Sequence, residues 1–116
     1  MRDLALQASG ALAILVAVIH GAIAELRVFP KARIESRTAR RLLRMVWQCS
    51  TVDWICIGVL LIATPGLGPE TARRWIVATA VAAYSYGAVG NLLVSRGRHI
   101  GGYLMGCAVA LALIGL

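Results

Sequence analysis

Asp53 stands near the centre of the apolar run Met45–Ala63, where a charged side chain costs about 2.5–3.5 kcal/mol on membrane-insertion scales. An acid at such a place is expected to face a protein interior or to be neutral. Five other residues could answer it. Tyr84 lies at matching depth on a later run, with a hydroxyl able to meet a carboxyl group. His20, Gln48, Asn91 and Tyr103 fall somewhat to one side of the centre of their runs. Together they predict a polar interior that starts at mid-membrane and continues toward one face. Its chemistry would be that of a proton- or cation-binding site, in which Asp53 and His20 share a proton. The plainer expectation is that the same side chains hydrogen-bond across helices and fix their register. Either way Asp53 is expected to point inward, near Tyr84 or His20.

Other chemistries find little support. Cys49, Cys56 and Cys107 all lie within apolar runs and form no CxxC pair, so no metal or dithiol redox site is expected. The two histidines, His20 and His99, fall at different depths, which argues against a shared haem iron. We therefore expect no cofactor. No nucleotide loop or nucleophile–base pair is recognisable, so no enzymatic activity is expected.

The elements that must position these residues are four apolar runs in 116 residues: about 4–24, 45–63, 75–94 and 100–116. Each is close to the length needed to cross a ~30 Å hydrocarbon layer. A hydrophobic fraction of 59% and mean hydropathy of +0.78 exceed soluble norms. The expected architecture is an all-α integral membrane protein, a single domain over 1–116, folded as a four-transmembrane-helix antiparallel bundle with short loops. Ala22-Ile23-Ala24 imitates a signal-peptidase site, but the basic residues that follow resist translocation, so a retained first helix is expected.

Seven of the twelve basic residues lie between Arg27 and Arg44, within a connection read as 25–44. Adding Arg96 and Arg98 places nine on one side, against Arg2, Arg73 and Arg74 on the other. The positive-inside rule makes the 25–44 loop cytoplasmic and both termini extracytoplasmic. Eleven Arg against one Lys fits a GC-rich bacterial genome, hence a bacterial cytoplasmic (inner) membrane. Ile34, Leu42 and Met45 recur at helical spacing within the basic segment, which suits a short helix lying on the inner leaflet. Arg33, Arg37, Arg40, Arg41 and Arg44 are the residues expected to meet anionic lipid headgroups or an acidic partner. The basic residues lack the interleaved aromatics of a single-strand-binding groove, so nucleic acid is not an expected partner.

Small residues at four-residue spacing mark where helices approach closely in lipid. Ser9, Ala13, Ala17 and Gly21 form such a row on the first run, Gly87 belongs to one on the third, and Gly102 and Gly106 make a GxxxG on the fourth. The size and four-run layout resemble small multidrug resistance transporters in gross architecture alone. That family carries an essential Glu in mid first helix, where this chain has Ala13 to Ala17, so no functional residue is carried over. Two functional expectations follow. The first is a non-enzymatic accessory, assembly or interaction subunit with a protein partner or homo-oligomeric assembly in the membrane. The alternative is a small proton-coupled transporter using Asp53 and His20.

Overall fold

A computed structural model describes residues 1–116. It contains no strand, and four long helices carry the fold: α1 (Arg2–Ile23), α2 (Arg37–Ala63), α3 (Glu70–Val94) and α4 (Ile100–Ile114). The first three are long and apolar enough to cross a membrane. The fourth has 15 residues and rises only about 22 Å at 1.5 Å per residue, short of the full span expected of residues 100–116.

The expected 25–44 loop is mostly helical. After Ile23 the chain continues through a π-helical turn, Ala24–Val28, into one further turn, Phe29–Lys31. The cause is Pro30. It lacks the amide hydrogen that would bond the carbonyl of residue 26, and its ring would strike that carbonyl, so the preceding turn widens. α2 then starts at Arg37, well before Met45, because Ser36 caps it: the Ser36 hydroxyl accepts a hydrogen bond from the Ala39 amide at 3.2 Å. Arg and Leu, good helix formers, occupy its first turns. Only residues 32–36 are left as a non-helical connection, and no separate surface helix forms around Ile34, Leu42 and Met45.

The helices form a ring in chain order. α1 packs extensively on α2 and α4, and α3 packs on α4, whereas the α2–α3 seam is the loosest. The small-residue row of α1 explains its central place. Ser9, Ala13, Ala17 and Gly21 are all buried, and the Ser9 hydroxyl donates to the Ala108 carbonyl at 2.7 Å, tying α1 to α4. The closest approach is between Gly10 and Gly58, where a Cβ added to Gly10 would lie 2.4 Å from the Gly58 carbonyl oxygen. Gly102 likewise lets α4 meet α3 at the Ala88 carbonyl and the Leu92 side chain.

Gly106 is a correction. It is exposed, with no other element within 4 Å of where its side chain would begin. The buried face of α4 runs through Gly102, Met105, Ala108 and Ala112, and Gly106 lies about 100° round the helix from the centre of that face. The GxxxG spacing is half used.

Leu6, Leu61, Val77, Tyr84 and Met105 fill the core. The outer surface carries large apolar side chains along its length, among them Leu15, Val18, Val52, Val59, Val89 and Leu113. So much exposed apolar surface is foreign to a water-soluble monomer. Ion pairs gather at the two ends of the bundle. At one, Arg73 binds Asp3 and donates to the Gly115 carbonyl at 2.9 Å, and Arg2 binds Glu70 at 2.9 Å. At the other, Arg44 pairs with Glu25, which also accepts from Gln48 at 2.8 Å.

Candidate functional site

The six polar residues expected to share one interior are divided among several places. Asp53 is exposed on the outer face of α2 and makes no hydrogen bond or ion pair. It lines a groove of about 450 Å³ along the α2–α3 seam, with Ser50, Cys56 and, from α3, Ala83 and Tyr86. The expected inward orientation is therefore corrected. α2 turns Thr51, Gly58 and Leu61 toward α1 and the core, because Gly58 must face Gly10 for the two backbones to touch. Asp53 lies five positions before Gly58, about 140° away round the helix, and is carried outward.

Tyr84 is fully buried, and its hydroxyl donates to the Trp54 carbonyl at 3.0 Å instead of to a carboxyl group. Gln48 is half-buried and bridges Glu25 and the Gly21 carbonyl, joining α2 to the end of α1. Tyr103 is exposed and donates to the Gly97 carbonyl at 3.0 Å, closing the α3–α4 turn. It belongs to no interior.

His20 and Asn91 do come together. They line a cavity of about 510 Å³ between all four helices at the end that carries the 25–44 segment. The His20 ring stacks on Trp47 at 4.7 Å with 14° between planes, and Trp54 lies 5.0 Å away at a tilt. Phe29 meets Trp47 edge-on, and the Trp47 indole donates to the His20 carbonyl at 3.3 Å. Asn91 donates to the Gly87 carbonyl at 2.8 Å, which leaves its side-chain oxygen free to accept.

Five polar or aromatic residues of this cavity, Trp47, Trp54, Ser95, Arg98 and His99, are not among the site residues expected from the sequence. A signal was available, since Trp47 and Trp54 are seven apart and so share one helix face. His99 lines the same cavity as His20 from its outer end. The His99 ring folds back over the first turn of α4, where a Cβ on Gly101 would lie 2.8 Å from its Cε1, and so it reaches the wall that His20 lines. No cluster of three His, Cys, Asp or Glu side chains is placed to hold a metal ion.

Of the five arginines expected to dock headgroups, all are exposed. Arg44 is engaged with Glu25, and Arg40 donates to the Phe29 carbonyl. Arg33, Arg37 and Arg41 project without an ion pair.

No protein-family model, curated protein or solved structure matches this chain.

Proposed function

We propose that this chain is a small polytopic protein of a bacterial cytoplasmic membrane, with both termini outside, acting as a non-enzymatic accessory or assembly subunit. It docks another membrane segment along the α2–α3 seam. The observation that carries this reading is Asp53, exposed half-way along an apolar helix with no partner in its own chain. Facing lipid alone, such an acid would be destabilising by about 2.5–3.5 kcal/mol if charged. A neighbouring helix that donates a hydrogen bond removes that cost, and intramembrane acids ordinarily find such a partner. The seam is suited to the task. α2 and α3 touch only lightly there, and Tyr86, 86% exposed, presents its ring across the groove from Asp53. Arg33, Arg37 and Arg41 would hold the same end of the bundle against anionic headgroups.

The carrier reading that joins Asp53 to His20 loses its footing in this geometry. Asp53 lines the outer groove and His20 the inner cavity, and Trp54 stands in the wall of both.

Cys56 is exposed on the same groove and offers a test. With Cys49 and Cys107 replaced by Ser, Cys56 in native membranes is labelled with a maleimide photocrosslinker. Irradiation is expected to give one dominant adduct, whose mass identifies either a second copy or a different protein. Asp53→Leu is expected to abolish that adduct while the monomer stays folded. An adduct and assembly mass unaffected by Asp53→Leu would show that the seam is no interface.

A further inference from the structure

The inner cavity has a polarity gradient along the bundle axis. At its deep end are Val16 and Leu104, the lining residues nearest the middle of α1 and α4, and at its outer end are Ser95, Arg98 and His99. Apolar walls with a few convergent polar groups, in a volume of about 510 Å³, are the ordinary make-up of a small-molecule site. The stacked His20, Trp47 and Trp54 rings give it a rigid aromatic side. Its charge is one-signed. None of the chain's acids lines the cavity, and Glu25, at the same end of the bundle, is already bound by Arg44 and Gln48. Ile100 and Gly101 place the start of α4 in the wall, the end of a helix that favours negative charge.

From this gradient we propose that the cavity binds an amphiphile with an anionic carboxylate or phosphate head. The head is held by Arg98 and His99 at the mouth, and the hydrocarbon tail runs inward along Ile19 toward Val16 and Leu104. Gly101 has a specific part in this arrangement. Only the lack of a side chain there leaves room for the His99 imidazole, whose Nδ1 would be 3.0 Å from a Cβ. Asn91 and Ser95 line the same outer half and can accept from a protonated head or a bound water.

The tryptophans report occupancy directly. Trp47 and Trp54 line the cavity, while Trp75 lies near the opposite end of α3. In a Trp75→Phe background, reconstituted in phosphatidylcholine nanodiscs, octadecanoate brominated at mid-chain is expected to quench the remaining fluorescence saturably. Its methyl ester should need about tenfold more, the loss of one charge-assisted contact. Arg98→Gln, at an exposed position, should weaken the acid by about the same factor without altering the circular dichroism. Val16→Phe, which fills the deep end, should lower quenching at saturation. Brominated phosphatidylglycerol distinguishes the source of the head. Saturable quenching by it, lost in Arg98→Gln, assigns a bilayer lipid, and saturation by the free acid alone assigns a fatty carboxylate. Equal, unsaturating quenching by acid, ester and phosphatidylglycerol, unchanged in Arg98→Gln, is simple partition into the bilayer and overturns the proposal.

Discussion

Glycine placement separates residues that must be small from residues that merely are. A Cβ on Gly10 would meet a backbone oxygen at 2.4 Å and the Ile62 side chain at 2.8 Å. A carbonyl in a helix cannot swing aside, so Gly10→Val should push α1 off α2 and be destabilising by about 1–3 kcal/mol, the usual range for overpacking. Gly106 borders nothing, and Gly106→Leu should leave the isolated chain's thermal midpoint in detergent unchanged. The pair of melting curves checks both, and equal loss in the two variants would contradict the placement of α4. The sequence pointed the other way at these sites. Gly102 and Gly106 stood out by their spacing, whereas Gly10 and Gly58 sit on different helices, and a contact between helices leaves no periodic trace in one chain. The row from Ser9 to Gly21 was legible because it runs along a single helix.

Among the elements, the α2–α3 seam is where the bundle gives most readily, and one aromatic ring spans it. The Trp54 indole lies across Gly87, where a Cβ would sit 2.4 Å from Cζ2. Gly87→Val should displace the ring, break the hydrogen bond from Tyr84 to the Trp54 carbonyl, and part the two helices. The expected result is a shifted Trp54 emission maximum and faster thiol labelling of Cys56 with α1–α4 packing intact. An unaltered labelling rate would mean that the seam does not depend on this contact. Helix existence and order followed from the four apolar runs, but helix ends did not. Hydropathy stops at charged residues, whereas the helical turns after α1 run on past Glu25 to Lys31 and α2 starts at Arg37, well before Arg44, since Arg-rich turns with a Ser36 cap are good helix whatever their polarity. The direction in which Asp53 points was likewise illegible, because it depends on how α2 rotates to bring Gly58 against Gly10.

At the scale of the molecule, the two ends of the bundle differ in how their charges are used. Arg2 and Arg73 are spent internally on Asp3, Glu70 and the carbonyls of the last two residues. This joins the starts of α1 and α3 to the end of α4. The opposite end carries nine basic residues, and only Arg44 among them meets an acid. Uncompensated Lys and Arg resist translocation and draw anionic headgroups, so both effects favour that end facing the cytoplasm. Reporter fusions after residue 35 and after residue 67 are expected to lie on opposite sides, with residue 35 inside. Moving the charge should move the protein. Replacing Arg33, Arg37 and Arg41 by Gln leaves both the Glu25 ion pair and the Arg40 bond to the Phe29 carbonyl intact, and cuts the imbalance from nine against three to six against three. It is therefore expected to yield a mixed orientation in which a fraction of residue-35 reporters appears outside. Residue 35 found outside in the unaltered chain would invert the topology. The mouth of the inner cavity would then face outward, with Arg98 and His99 meeting the outer leaflet.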